Sequence, residues 1–129
     1  MCPTTPPIVL GDTRAAAAHF ARIAASPVEI AIVGFLDPNW RLLAVTEFGG
    51  SARRVAPSIR LIVRDALRCD AVAAILAHSH PGGDPTPSPA DLAFTRRLAA
   101  TLRAIDATLV DHLVFGGDRV VSLRERGLL

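Results

Sequence analysis

Two histidines separated by one residue, His78 and His80, are followed after seven intervening residues by Ser88 and, after two more, by Asp91. Alternate residues of an extended strand share a face, so both imidazoles point the same way. Ser88-Pro89-Ala90-Asp91 has the composition of a helix start, with Ser88 at the N-cap, Pro89 at the first helical position and Asp91 at N3. Asp91 stands three, seven and eleven residues before Phe94, Leu98 and Leu102, which puts its carboxylate at the top of the helix's inward face. An unpaired carboxylate is costly there. Two imidazoles and a carboxylate converging at a core edge match a catalytic zinc site, with His78, His80 and Asp91 as protein ligands and a fourth position open. Zinc lowers the pKa of water in such a position to about 7. Ser88 offers a hydroxyl at the same place to stabilise an oxyanion. Taken singly, each residue is better explained as a helix cap, a core histidine or a turn residue. The four together, with Asp91 on the inward face, favour the site.

These side chains need a strand that leaves the core and a helix that starts beside it. Residues 71–77 form a short, wholly apolar run of the kind expected for a buried central strand, and the histidines fall where it ends. The stretch 78–89 carries four prolines and two glycines, so it reads as a loop with little entropy to lose. Residues 89–105 are helical in pattern, with Phe94, Leu98, Leu102 and Ile105 on one face. Upstream, Asp12 is an N-cap candidate for an alanine-rich helix ending at Ser26-Pro27. Residues 28–36 and 41–48 read as a hairpin about Asp37-Pro38-Asn39-Trp40, and Gly49-Gly50-Ser51 as a loop. Residues 57–67 read as an amphipathic helix, with Ile59, Ile62, Val63 and Ala66 opposite Arg60 and Arg64. Residues 109–115 and 119–123 close a second hairpin around Gly116-Gly117-Asp118. This order implies an α/β fold, one mixed sheet flanked by helices in a single domain over residues 12–129. Residues 1–11, rich in Pro and Thr, read as a flexible N-terminal tail.

Composition narrows the classes further. The 129 residues carry 14 arginines, no lysine and 12 acidic residues, for a net charge of +2. Half the residues are hydrophobic and 20% charged, which excludes disordered and fibrous classes. A charge so near balance announces no nucleic-acid or membrane partner, and 5% aromatic residues leave little for base stacking. Cys2 and Cys69 are too few for a disulfide framework and read as free thiols in a reducing compartment. The N-terminus lacks a signal-peptide pattern, and the longest apolar run is far short of the ~20 residues of a spanning helix. The expectation is a soluble, cytoplasmic protein. His19 reads as a surface or packing residue, His112 as a strand residue with no ligand-spaced partner, and Asp84 as an Asx-type turn residue.

With those residues in view, His78-Ser79-His80-Pro81, the gap, Ser88 and Asp91 resemble the JAMM (MPN+, JAB) metalloprotease motif. More narrowly, His-Ser-His-Pro-Gly-Gly-Asp-Pro-Thr-Pro-Ser over 78–88 resembles the RadC family. So do Val110-Asp111-His112-Leu113-Val114 and the ending Ser122-Leu123-Arg124-Glu125-Arg126-Gly127-Leu128-Leu129. RadC-like proteins usually carry Asn between the histidines and Ser after the Pro; here Ser79 and Gly82 stand there, and neither is a ligand in the family pattern. The resemblance implies a JAB/MPN-type fold, one Zn2+ and hydrolysis of a peptide or isopeptide bond. It also implies a catalytic glutamate on the first strand, where Pro27-Val28-Glu29 stands at the matching place. A helix-hairpin-helix domain commonly precedes this one in the family, and the chain is expected to lack it.

Three functions follow in order of support. The first is a zinc-dependent hydrolase acting on a peptide or protein substrate, with Glu29 shuttling protons and Ser88 stabilising the tetrahedral intermediate. The second is a nucleic-acid-associated accessory protein, resting on Arg53-Arg54, Arg96-Arg97 and the arginines at 124 and 126, which are scattered. The third is an inactive scaffold, which would be expected to lose ligands this chain keeps. Glu47 competes with Glu29 for the proton-shuttle role. If Pro38-Asn39 is a two-residue turn, 29 opposes 48 and 30 opposes 47. The two glutamates then face opposite sides of the sheet, unless a bulge or an odd-length loop intervenes.

Overall fold

The residues 71–77 singled out for their apolar character supply most of a strand buried along its whole length, and the rest of the chain is arranged around it. The computed structural model describes residues 6–49 and 57–129; Cys2, Gly50, Ser51, Arg53 and Arg54 lie outside them. The elements are α1 (Thr13–Phe20), a 3-10 turn (Ala21–Ala25), β1 (Ile30–Leu36), β2 (Leu42–Gly49), α2 (Ile59–Arg68), β3 (Ala73–Ser79), α3 (Pro89–Ala104), β4 (Thr108–Gly116) and β5 (Arg119–Ser122). The five strands form one mixed sheet in the order β2-β1-β3-β4-β5. β3 and β4 are parallel, joined by α3 as the crossover, and the other neighbours are antiparallel. Strands buried on both faces read as continuous apolar runs, which is why β3 and β1 lack polar alternation.

Each face of the sheet has its own core. On one, Phe20 and Ile23 of the α1 segment cover Ile32, Leu36, Ile75, Leu113 and Phe115. On the other, Ile62 and Ala66 of α2 and Leu98 and Leu102 of α3 cover Val33, Phe35, Ala74 and Leu76. α1 is capped by Asp12, whose Oδ1 accepts from the Ala15 amide at 2.7 Å.

The first hairpin departs from the expected register by two single-residue shifts that add and so leave the faces unchanged. Its loop is longer by one residue: Leu36 opposes Leu42, and Trp40 closes the turn in the left-handed region at φ 65°. A bulge then slips the pairing by one more, so Ile30 opposes Gly49 and Ile32 opposes Glu47. Two single-residue shifts restore the parity of faces. Glu47 therefore shares the α1 side with Ile32 and forms an exposed ion pair with Arg22 at 3.3 Å.

Residues 8–10 correct the reading of a loose tail up to residue 11. Val9 bridges Arg41, the Leu42 amide donates to the Ile8 carbonyl, and Leu10 is buried in the α1-side core. Three apolar residues suffice because they lay one side chain into a core that already exists. Among the described residues, no helix is long and apolar enough to cross a membrane.

Candidate metal centre

The end of β3 delivers His78 to the α3 side of the sheet. Its neighbours on that face are Leu76 within the strand and Ala31 across it. Ser79 turns the other way and ties its Oγ to the Ile30 backbone, accepting from the amide at 3.0 Å. One residue on, the strand has ended: the His80 amide still donates to the Phe115 carbonyl at 2.7 Å, and its imidazole again faces His78, ring centroids 4.6 Å apart. The alternation expected from sequence carries both rings to one place.

The loop after His80 fixes that ring. His80 Nδ1 lies 2.8 Å from the Asp84 carbonyl, which can only accept, so Nδ1 carries the proton. The Asp84 side chain makes an Asx turn, Oδ1 accepting from the Thr86 amide and hydroxyl at 3.0 and 2.7 Å. Gly116 makes room for this loop. A Cβ there would lie 2.5 Å from the Pro85 nitrogen and 2.7 Å from the Asp84 carbonyl carbon. The sequence marked Gly116 only as a turn, and its second role is to let the loop that orients His80 lie against β4.

α3 starts with a capping box. Ser88 Oγ accepts from the Asp91 amide at 3.0 Å, and Asp91 Oδ2 accepts from the Ser88 amide at 2.8 Å. The cap does not consume the carboxylate: Oδ2 also lies 3.2 Å from His80 Nε2, and Oδ1 lies 3.8 Å from His78 Nε2. From β1's leading edge, Glu29 Oε1 reaches His78 Nε2 at 2.6 Å. Glu29, His78, His80, Ser88 and Asp91 are thus gathered by three elements, whereas Glu47 is on the opposite face. His19 packs edge-on against Phe20, away from the site.

Burial pushes the His78 imidazole below its usual pKa, although Asp91 and Glu29 pull it the other way. Burial works to raise the Asp91 carboxyl, but the Ser88 hydrogen bonds and the two imidazoles outweigh it and hold it low. The centre therefore sets an ionised Asp91 carboxylate against a His78 imidazole that burial keeps from protonating. With Nδ1–H committed to a carbonyl, His80 turns Nε2 toward Asp91. A neutral His80 offers a lone pair there, as a metal-bound histidine does. The ligand atoms of Glu29, His78 and His80 all lie within 4.8 Å of one another, so these residues could hold a metal ion, and Asp91 borders them. Nitrogen and oxygen donors of this kind suit a borderline divalent cation.

Two residues beside the centre carry weight that sequence reasoning missed. His112 of β4 is buried with its ring centroid 5.5 Å from that of His78. Its Nδ1 lies 2.7 Å from the Thr95 hydroxyl, and Thr95 in turn donates to the Asp91 carbonyl at 2.7 Å. Burial, with His78 close by, pushes the His112 imidazole down to about 3. The available signal was Asp111-His112 itself. Adjacent polar residues within the apolar run of β4 must point to both faces, and each then needs a partner.

A RadC-like JAB domain model matches residues 11–128 of the chain. A UPF0758 protein of Bordetella avium is 45% identical over 108 residues, covering 83% of this chain and 48% of that protein. One from Methylibium petroleiphilum is 45% identical over 109 residues, 84% and 49% of the respective chains. One from Xanthomonas oryzae pv. oryzae is 42% identical over 122 residues, 93% and 54%. The chain spans about half the length of the curated relatives it matches.

Proposed function

The chain belongs to the RadC-like JAB domain family, and from that premise we propose that it is a zinc-dependent hydrolase of peptide or isopeptide bonds. Its α/β fold, one mixed sheet with three α-helices among the described residues, is of JAB/MPN type. The observation that carries the reading is the convergence of two imidazole Nε2 atoms with the Asp91 and Glu29 carboxylates at the mouth of a buried strand.

His78, His80 and Asp91 would hold the zinc. When bound, the metal supplies Lewis acidity, polarising a carbonyl and making water acidic enough to attack near neutral pH. Glu29 is the proton carrier in this reading. Its Oε1 accepts a proton from the attacking water and returns it to the departing nitrogen, which a carboxylate at the rim of the centre can do in both directions. The Ser88 Oγ, held at the helix N-terminus, donates to the oxyanion as the carbonyl becomes tetrahedral. Asp84, through its carbonyl on His80 Nδ1, keeps Nε2 aimed inward. A peptide or protein substrate fits an amide-cleaving centre of this kind.

Metal analysis of the purified chain, together with a hydrolysis screen over peptide and isopeptide libraries, tests the reading. About one zinc per chain is expected, with loss of the metal in a His78→Ala/His80→Ala double variant and loss of hydrolysis on chelation. Full zinc content in the double variant would place the metal elsewhere and overturn the proposal.

A further inference from the structure

His112 contributes no ligand atom to the cluster of Glu29, His78 and His80, yet it is one of the most deeply buried polar side chains in the molecule. The hydrogen bonding around it has a fixed direction. The Asp91 carbonyl can only accept, so the Thr95 hydroxyl proton goes to it, and Thr95 Oγ1 must accept from His112 Nδ1–H. In a neutral ring the proton on Nδ1 leaves Nε2 as an acceptor, and among the described residues Nε2 has no partner. A histidine kept here at that cost has more to do than fill space, since a leucine would fill β4's inner face without an unmet polar atom.

What the pair spans is the seam that decides the geometry of the centre. His78 is on β3 and Asp91 on the first turn of α3. Thr95, one turn below Asp91, is the place where α3 is tied by a side-chain bond to β4. From the other face, Asp111 Oδ1 accepts from the His112 amide at 2.7 Å, which pins the backbone carrying the ring. A chain of fixed contacts therefore runs from β4 through His112 and Thr95 to Asp91, while the same imidazole lies against His78.

We propose that His112 and Thr95 are positioning residues for the metal centre: the His112 Nδ1–Thr95 Oγ1–Asp91 carbonyl relay sets the height and rotation of the Asp91 turn against His78 and so fixes the bite of the metal ligands. This rests on the metal-centre reading above. The role belongs to the hydroxyl and the Nδ1 proton, not to side-chain bulk. Thr95→Ser and His112→Asn keep a hydroxyl and a correctly placed N–H, whereas Thr95→Val and His112→Leu remove them at similar volume.

The test measures zinc affinity by chelator competition and the visible spectrum of the Co2+-loaded full chain for these four variants, with thermal melting of the metal-free forms alongside. Thr95→Val and His112→Leu are expected to weaken zinc binding about 10–100-fold and to alter the cobalt spectrum. Thr95→Ser and His112→Asn should stay within a few-fold of the parent with its spectrum unchanged. The Thr95→Val/His112→Leu double variant should be no weaker than the poorer single one, because both break one relay. Unchanged affinity and spectrum in Thr95→Val, whatever its melting temperature, overturn this inference and leave the metal centre standing. If Thr95→Val fails to fold, His112→Leu against His112→Asn decides by the same readouts. A parent chain that takes up neither zinc nor cobalt overturns both readings at once.

Discussion

Asp111 and His112 are consecutive residues of β4 that point to opposite faces of the sheet, and the two faces meet their polar groups in different ways. On the α1 side the Asp111 carboxylate accepts from the His112 and Arg124 amides at 2.7 and 3.1 Å, from Ser122 Oγ at 2.6 Å and from Thr13 Oγ1 at 3.4 Å. Every oxygen there meets a hydrogen-bond donor, and the cluster staples α1, β5 and the C-terminal turn to the sheet. On the α3 side Asp91 meets the nitrogens of two histidines, His78 meets Glu29, and His112 Nε2 has no partner among the described residues. Buried polar groups that satisfy one another hold a fold together. Those on the α3 side pair with one another as well, and leave one buried acceptor, His112 Nε2, without a partner among the described residues.

The sharpest way to break this contrast is to exchange a carboxylate for an amide on each face. Glu29 faces the centre, while Glu47 stands on the α1 side against Arg22. Glu29→Gln should leave zinc content unchanged and lower hydrolysis by ~10²–10⁴-fold, the usual worth of acid–base catalysis. Glu47→Gln should cost little, since its exposed ion pair is worth no more than ~1 kcal/mol. Both variants are assayed on the same substrate from the library screen. An active Glu29→Gln beside a dead Glu47→Gln would move the proton-carrying role across the sheet, and loss of zinc in Glu29→Gln would make Glu29 a ligand instead.

Stability measurements probe the same contrast from the other direction. Asp111→Ala strands two backbone amides and the Ser122 hydroxyl on the α1 side, at about 3 kcal/mol in total. Asp91→Asn keeps an acceptor for the Ser88 amide, so the metal-free chain should lose about 1 kcal/mol or less. Denaturant unfolding in the presence of chelator gives both values, and zinc titration should then show the reverse ranking. Equal destabilisation would mean that Asp91 serves the fold as much as Asp111 does.

The parts of this arrangement visible in the sequence are those that depend on short range. The strand's two-residue period set His78 and His80 together, and Ser88-Pro89 with an inward Asp91 fixed the helix start. What stayed hidden depends on contacts across the crossover. Nothing local ties Thr95 to His112, seventeen residues away on another element. Nor does any local pattern show that Gly116 lies under the loop carrying Asp84. The hairpin shows how a sequence argument can reach the right face through an incorrect register: the loop and the bulge each shifted it by one, and parity survived.

A last effect is expected in the pH dependence of stability, and it isolates His112. Burial holds this imidazole at about 3 in the folded chain against an ordinary value of 6.5, so it is neutral when folded throughout the working range. Its titratable neighbours are His78 and His80 from the end of β3 and Asp91 from α3, the histidines lowering its pKa and the carboxylate raising it. The unfolded chain binds a proton at this residue below about 6.5 and the folded chain does not. Stability from this group is therefore fully present above pH 6.5 and is lost as pH falls toward 3, with a limiting slope of about 1.4 kcal/mol per pH unit. His112→Asn keeps the N–H toward Thr95 but has nothing to titrate. Unfolding free energies of the metal-free chain between pH 7 and 4.5 should fall less steeply in this variant than in the parent, by up to about 1 kcal/mol per unit at the acid end. The remaining slope belongs in part to His78, which is also depressed. Parallel curves would mean that the folded chain protonates His112 as readily as the unfolded one. The α3 side would then hold a charged histidine at its centre, and the contrast with the satisfied Asp111 cluster would lose its clearest member.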